Sequence, residues 1–179
     1  MRIVSGSQGG RRINPPAKMP YTRPTTDIAK EGLFNILQNH FDFEEIETLD
    51  LFGGTGAITY ELASRGAKNL TIVEKDIQMQ GFIKKTSEAL GFTNINVVKS
   101  DVFRFLDKCE QQFDFIFAGP PYALVAIDEL PKIIAAKSLL KKGGWFVLEH
   151  TPKNDYKKYP MYLSERNYGT TIFSIFACD

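Results

Sequence analysis

The segment DLFGGTG (residues 50–56) places an acid and three glycines between an apolar run and a helical pattern. Glycines let the backbone turn sharply and approach a ligand closely, and the amino end of the following helix points at the same place. A dinucleotide site requires G-x-G-x-x-G, so that a pyrophosphate meets the free amides. Counted from Gly54, the third glycine would fall on Thr59, so this fingerprint fails and a nucleotide-dependent oxidoreductase is disfavoured.

Two more acids follow the next two apolar runs. Glu74 ends the first run, about twenty residues after the glycine loop, where an acid can accept both hydroxyls of a ribose. Asp101 follows the second run. An acid at the end of a strand is often only a helix cap or a solvated charge, and Ser100-Asp101 could simply cap the next helix. The order of the three acids on successive loops nevertheless favours one shared site.

A proline turn, Gly119-Pro120-Pro121-Tyr122, follows the apolar run FDFIFA. Two prolines stiffen a loop, which reduces the positional error of whatever the loop holds. An aromatic ring after them can stack on a base that is turned out of a nucleic acid. By itself the motif would indicate an ordinary rigid turn, but its place after a buried strand makes it a candidate for catalysis.

Alternating strands and helices must position these loops. The first helix should begin at the N-cap candidates, residues 25–27, and end near Asn39. A later helix lies within 127–140, where Pro131 fits only the first turn, and Gly143-Gly144 should form a turn before the next strand. The patterns predict the other helices at 58–65, 77–90 and 102–109, and strands at 48–52, 70–74, 95–98, 113–118, 145–149, 162–167 and 171–177.

This alternation implies an α/β fold with a mostly parallel sheet of seven strands and helices on both faces. Ligands bind such sheets beyond the carboxyl ends of the strands, where the glycine loop, the two later acids and the proline turn all fall. We expect residues 26–179 to form a single Rossmann-like domain, preceded by a short basic arm or hairpin over residues 1–25.

The amino-terminal segment has a strong charge imbalance. The whole chain has a formal net charge of only +1, whereas residues 1–30 contain six basic side chains and one acid. A local basic segment is the electrostatic footprint of a phosphate-binding surface, although a solvated tail would have the same composition.

Composition excludes several classes of protein. Cys109 and Cys178 lie far apart, and His40 and His150 form no cluster with them, so neither a structural zinc site nor a disulfide framework is indicated. There is no signal-peptide pattern and no apolar run of about 18 residues. We expect a cytoplasmic monomer with no metal and no membrane association.

The glycine loop resembles the D-x-F-x-G-x-G motif of class I S-adenosylmethionine-dependent methyltransferases. The resemblance implies that the loop holds the methionine portion of this cofactor, that Asp50 orients its amino group, and that Glu74 and Asp101 hold the ribose and the adenine. An acid suits a cofactor that carries a sulfonium and no phosphate. The residues implied to bind S-adenosylmethionine are Asp50, Phe52, Gly53, Gly54, Gly56, Glu74, Lys75, Asp101 and Val102.

The proline turn resembles the (Asp/Asn)-Pro-Pro-(Tyr/Phe) motif of enzymes that methylate exocyclic amino groups. The lone pair of such an amine is spread into the ring, so acceptors must bind its hydrogens and turn the lone pair toward the methyl group. The implied catalytic residues are Gly119, Pro120, Pro121 and Tyr122. The chain departs from the motif at Gly119, and loss of one preorganised acceptor can cost about 10²–10³ in rate.

Three explanations of this glycine are open. The backbone carbonyl of Gly119 or Pro120 can act as the acceptor. Another acid, such as Glu149 or Glu165, can substitute for the missing side chain. Alternatively, the protein binds RNA without catalysing a reaction.

The whole chain is similar to the RsmD-type 16S rRNA (guanine-N2)-methyltransferases. The similarity runs through MRIVSG, GGRR, TRPTTD and KEGLFNIL before the glycine loop, and through SRGA and VEKD after it. It implies methylation of the N2 amino group of one guanine in small-subunit ribosomal RNA that already carries ribosomal proteins. The arm is then implied to contact RNA, and basic residues suit this role; they are Arg11, Arg12, Lys18 and Arg23.

Two other functions stay open on the sequence alone. A DNA adenine-N6 methyltransferase uses similar prolines and an aromatic residue, but usually with a separate target-recognition domain, for which this chain has no room. A non-catalytic RNA-binding or ribosome-assembly factor that keeps the fold is supported by Gly119 alone.

Overall fold

The computed structural model describes residues 1–19 and 24–179, which contain seven strands and five α-helices. The strands are β1 (Glu47–Leu51), β2 (Asn69–Glu74), β3 (Ile95–Lys99), β4 (Phe113–Ala118), β5 (Leu140–His150), β6 (Tyr162–Tyr168) and β7 (Thr171–Ala177). The helices are α1 (Asp27–His40), α2 (Ala57–Ser64), α3 (Ile77–Ala89), α4 (Val102–Lys108) and α5 (Glu129–Ala136). Short 3-10 helices precede β1 and α5, at Phe43–Glu45 and Val125–Asp128.

The strands form one sheet in the order β3-β2-β1-β4-β5-β7-β6. β1 to β5 are parallel, and β7 runs antiparallel between β5 and β6. The order reverses between β1 and β4, so the loops after these two strands lie side by side at the point where such sheets bind ligands. The predicted seven-stranded, mostly parallel α/β architecture is confirmed.

The central strand β4 shows how the sequence buries both faces of the sheet. Phe115 and Phe117 belong to the core under α1 and α2, whereas Ile116 and Ala118 belong to the core under α4 and α5. Successive side chains of a strand point to opposite faces, so an almost entirely apolar run suits a strand that is covered on both sides.

The helix starts follow the predicted signals. Thr26 is the N-cap of α1, and its hydroxyl accepts a hydrogen bond from the amide of Ala29 at 3.2 Å. Pro131 is the third residue of α5, where a missing N–H costs no helical hydrogen bond.

The prediction that the fifth strand begins at residue 145, after a glycine turn, is wrong. β5 begins at Leu140, and Gly143 and Gly144 lie inside it where the pairing with β4 shifts register. Gly143 has a φ of +78°, a conformation that glycine supplies at a bulge. The glycines therefore bend a continuous strand and do not start it.

The first thirteen residues fold back on themselves and pack on the domain. Arg2 and Arg12 form an antiparallel bridge. Ile3 is buried in a cluster with Tyr60 of α2 and Ile83 of α3. The amino-terminal hairpin thus contributes to the hydrophobic core.

Glu61 of α2 fastens this hairpin. Its carboxylate accepts hydrogen bonds from the amides of Val4 (2.8 Å) and Ser5 (3.1 Å). It also pairs with Arg65 at 2.9 Å and with Lys30 at 3.5 Å. Burial lowers the pKa of Lys30, and the charge of Glu61 opposes this effect. The ion pair with Glu61 stabilises the charged form of Lys30 at a buried position, where an unpaired cation would be strongly disfavoured.

Candidate active site

Three adjacent parallel strands are in register at the point where β1 and β4 end. Ala118 of β4 lies between Leu51 of β1 and Leu148 of β5. Because the strands are parallel, the residues that follow these three also lie side by side in one row; they are Phe52, Gly119 and Glu149. A first cavity opens at this row, lined by residues 52–55, Asp50, Phe117, Gly119, Glu149 and, from the arm, Pro24 and Thr25.

Asp50 is a buried carboxylate on the wall of the first cavity. Burial raises its pKa to about 7, the hydroxyl of Thr59 opposes this, and the charges of Glu74 and Glu149 add to the rise. Thr59 donates a hydrogen bond to Oδ2 of Asp50 at 2.7 Å. A cationic group placed in the cavity would stabilise the ionised acid. Thr59 therefore positions the carboxylate of Asp50. In the sequence, Thr59 was notable only because it stands where a dinucleotide-binding motif would have its third glycine.

The glycine loop leaves no room for side chains. A Cβ on Gly53 would lie 2.5 Å from the side chain of Ile72, and a Cβ on Gly56 would lie 2.5 Å from the ring of Tyr60. Phe52 has a φ of +61°, which is rare for a bulky residue and is typical of functional sites. Its side chain lies between the first cavity and a second one, since it lines both.

Glu74 ties the glycine loop to the end of β2. Its Oε2 accepts a hydrogen bond from the amide of Gly54 at 2.7 Å, and its Oε1 accepts one from the amide of Asp76 at 2.9 Å. A carboxylate offers about four acceptor positions. Glu74 therefore shapes the loop and still has acceptor capacity for the hydroxyls of a ligand.

The second cavity lies on the other side of Phe52 and has Glu74, Lys75, Asp101 and Val102 in its lining. Lys75 is exposed and Val102 is buried. Asp101 accepts a hydrogen bond from the amide of Arg104 at 3.1 Å and is the N-cap of α4. The capping interpretation of Asp101 is thus correct, and it is compatible with a position beside a ligand.

The proline turn joins the two cavities. Gly119 lines the first and Pro121 lines the second. Pro120 is buried, and the amide of Leu124 donates to the carbonyl of Pro121 at 2.9 Å, which closes a turn around Tyr122. The side chain of Tyr122 is 40% exposed. A flat ligand group could therefore reach the ring from solvent.

Glu149 lies next to Gly119. A Cβ added to Gly119 would be 3.3 Å from Oε2 of Glu149. The other carboxylate oxygen accepts a hydrogen bond from the hydroxyl of Thr25 at 2.9 Å. The site thus holds a carboxylate beside the position at which the motif has its acid, but the carboxylate comes from β5. The sequence showed Thr25 only as a capping candidate and gave no sign of this contact.

Glu165, the other candidate substitute, lies on the opposite face of the sheet. It pairs in register with Ser174, whose side chain is hydrogen-bonded to His150 at 2.7 Å. His150 and Glu149 are consecutive in β5, so their side chains point to opposite faces. The structure brings Glu149 to the first cavity and leaves Glu165 away from it.

Three of the four basic residues that are implied to contact RNA are described, and they are on the surface. Arg11, Arg12 and Lys18 are exposed, and Arg11 donates a hydrogen bond to the side chain of Gln8 at 3.1 Å. Arg23 lies outside the described residues. Because Pro24 and Thr25 line the first cavity, the arm leads from the hairpin to the candidate active site.

Among residues 1–19 and 24–179, no three His, Cys, Asp or Glu side chains are grouped so that they could hold a metal ion. None of the helices in this part of the chain combines the length and the apolar character needed to cross a bilayer.

Comparison with known proteins gives consistent matches. The family described as "Conserved hypothetical protein 95" matches residues 1–177. The protein YlbH of Bacillus subtilis (strain 168) is 35% identical over 154 residues, which cover 84% of this chain and 82% of YlbH. The protein named "Ribosomal RNA small subunit methyltransferase D" from Buchnera aphidicola subsp. Baizongia pistaciae (strain Bp) is 28% identical over 186 residues, which cover 94% of each chain.

A solved structure of a T. thermophilus 16S rRNA N2 methyltransferase (RsmC), in complex with AdoMet and guanosine, superposes with a TM-score of 0.68. It is 25% identical, and the superposition covers 87% of this chain and 44% of that one. The sheet order, the glycine loop and the match over almost the whole length lead to one assignment: this chain belongs to the RsmD-type family of class I methyltransferases, described as "Conserved hypothetical protein 95".

Proposed function

We propose that this protein transfers the methyl group of S-adenosylmethionine to the exocyclic N2 amino group of a guanine in small-subunit (16S) ribosomal RNA. The observation that carries the proposal is the convergence of the glycine loop, the proline turn and Glu149 at the switch point of the sheet. This arrangement has a place for a cofactor beside a place for an amine.

The two cavities fit the cofactor chemically. S-adenosylmethionine supplies an electrophilic methyl group on a positively charged sulfur. Asp50, a buried carboxylate with a pKa near 7, would pair with the cofactor's ammonium group, and this positive charge would stabilise the ionised form of the acid. Glu74 would accept the ribose hydroxyls, and Lys75, Asp101 and Val102 would surround the adenosine portion.

The proline turn would present the base. Tyr122 offers a half-exposed ring for stacking of an extruded guanine, and stacking of a base on an aromatic residue contributes about 1–3 kcal/mol. Pro120 and Pro121 fix the carbonyls of the turn close to the end of β4, where they can accept an amine hydrogen. No metal ligand is required by this chemistry.

The choice of ribosomal RNA is supported by the family. One member carries the name of a small-subunit rRNA methyltransferase, and a structural neighbour is described as a 16S rRNA N2 methyltransferase with guanosine. The exposed Arg11, Arg12 and Lys18 supply cations on the segment that precedes the cavity-lining Pro24 and Thr25, and such cations suit phosphate contacts. Arg23 is proposed to act with them. We take the monomer as the acting form.

The test is methyl transfer to a defined substrate. The purified protein is incubated with tritiated S-adenosylmethionine and small ribosomal subunits from cells that lack it, and the labelled nucleoside is identified after digestion. Label in N2-methylguanosine is expected, and Asp50→Ala serves as the inactive control. Absence of label, with cofactor binding demonstrated and an active enzyme as positive control, would support instead a non-catalytic RNA-binding or assembly factor. A parallel reaction with DNA in place of the subunits tests the remaining alternative, since label in N6-methyladenine would point to a DNA adenine methyltransferase.

A further inference from the structure

We propose that Glu149 is the side-chain acceptor that holds the target amine, in place of the acid that is absent at Gly119. This inference rests on the proposed function and assigns a catalytic residue that the motif does not contain.

The first step is the register. Ala118 of β4 pairs with Leu148 of β5, so Gly119 and Glu149 occupy the same row one residue further along. The absent side chain would point at Glu149, because a Cβ on Gly119 would lie 3.3 Å from its Oε2 and 3.1 Å from the ring of Phe117. The carboxylate of Glu149 therefore lies in the region that the side chain of an acid at position 119 would enter.

The second step is orientation. Glu149 is buried, with a relative exposure of 5%, and the hydroxyl of Thr25 donates to its Oε1. Its Oε2 is the oxygen that faces Gly119, 3.3 Å from the place where a Cβ of residue 119 would lie. A carboxylate that is fixed in this way needs little reorganisation when it accepts a hydrogen bond from an amine, which is the condition for a large electrostatic effect.

The third step is the chemistry. Glu149 accepts a hydrogen bond from one N–H of guanine N2, which directs the nitrogen lone pair toward the methyl carbon. The nitrogen–carbon bond forms as the carbon–sulfur bond breaks, and the electron pair of the broken bond stays on sulfur, which becomes neutral. The positively charged nitrogen then releases one proton, which Glu149 accepts and passes to solvent.

The test compares Glu149→Gln with Glu165→Gln in the tritium assay, together with cofactor binding measured by calorimetry. Glu165 is a matched control because it is the same residue type on the opposite face of the same sheet. We expect Glu149→Gln to lower kcat by about 10²–10³-fold. The Kd of the cofactor should change by less than about 3-fold, which is well below the 10-fold change that corresponds to about 1.4 kcal/mol. Glu165→Gln should leave both quantities unchanged.

A rescue variant separates catalysis from folding. Gly119→Asp combined with Glu149→Gln places an acid at the position after β4 where the motif has one. The side-chain amide introduced at position 149 can donate a hydrogen bond to this acid. The kcat of this double variant should be at least about 10-fold higher than that of Glu149→Gln alone, which corresponds to about 1.4 kcal/mol of transition-state stabilisation.

The outcomes are distinct. Wild-type protein that does not methylate the subunits would overturn the proposed function and this inference together. Active wild-type protein with Glu149→Gln equally active would overturn the inference alone. Parallel loss of cofactor affinity and rate in Glu149→Gln, with no rescue by the double variant, would also overturn it, because Glu149 would then serve the cofactor or the fold.

Discussion

The hydroxyl of Thr25 donates a 2.9 Å hydrogen bond to the carboxylate of Glu149, across 124 positions of sequence. It joins the segment before α1 to the carboxyl end of β5 and closes one wall of the first cavity. The amino-terminal arm is therefore part of the candidate active site.

Thr25→Val should lower kcat by about 3- to 10-fold, because a hydrogen bond to a charged group contributes about 1.5–3 kcal/mol and part of this would be recovered by water. Thr25→Ser keeps the hydroxyl and should stay close to wild type. Single-turnover kinetics on small subunits is the appropriate measurement. Equal rates for Val and Ser would show that the bond does not orient Glu149.

Asp50→Asn should remove a pH-dependent component of stability. The folded protein holds the proton of Asp50 up to a pKa of about 7, whereas the ordinary pKa of a free aspartic acid side chain is 3.8. Between these values the folded state binds more protons than the unfolded state, so its stability falls as pH rises from about 4 to about 7 and is then constant. Asp50→Asn should therefore be more stable than wild type at pH 8, by roughly 2–4 kcal/mol, and nearly equal at pH 4.

Cofactor affinity should follow the opposite trend. Since an ammonium group binds the ionised acid, the affinity of wild-type protein for S-adenosylhomocysteine should rise with pH up to about 7, the pKa of Asp50. Asp50→Asn should bind about 10- to 100-fold more weakly, as expected when a charge-assisted contact of about 1.5–3 kcal/mol is lost. A wild-type affinity that is flat between pH 5 and pH 8 would contradict this account.

Glu61→Gln should destabilise the fold strongly. Lys30 would stay buried without its anionic partner, and such a loss costs about 3–5 kcal/mol. Urea denaturation measures this cost, and amide exchange at Val4 and Ser5 should accelerate because both amides donate to Glu61.

The control is Glu44→Gln. Glu44 pairs with Lys68 at 3.7 Å, and both side chains are more than 60% exposed, so the change should stay within about 1 kcal/mol. If the two variants lost the same stability, the buried pair would not fasten the hairpin.

The triple variant Arg11→Ala/Arg12→Ala/Lys18→Ala should weaken RNA binding and leave cofactor affinity unchanged. The dependence of log affinity on log salt should become shallower by about 0.7–0.9 for each phosphate contact removed. Lys68→Ala is the matched control, because Lys68 precedes β2 and so lies at the amino ends of the strands. An unchanged salt slope in the triple variant would rule out the arm as the phosphate-binding surface.

Local patterns predicted the fold well. The apolar runs predicted the strands, Thr26 predicted the start of α1, and the alternation of elements predicted the mostly parallel sheet. The start of β5 could not be predicted, because a glycine pair in a turn and a glycine pair at a bulge look alike in sequence. Only the pairing partner, β4, distinguishes them.

The site was predictable where it lies on one loop and not where it is assembled from several. Asp50 and Gly54 share a motif, so spacing was sufficient to find them. Thr59 contacts Asp50 from the following helix, and Thr25 contacts Glu149 from far away in the chain. Such contacts depend on tertiary packing, which leaves no fixed spacing in a sequence.

The contact between Thr25 and Glu149 also sets the order in which the site can be completed. A nascent chain that has been synthesised to residue 140 contains the arm, the glycine loop and the proline turn, but it lacks the partner that holds Thr25. Contacts of such long sequence separation form late and slowly in folding. The first cavity would therefore be the last part of this protein to mature, and we expect fragments ending before β5 to lack methyltransferase activity even if they bind the cofactor.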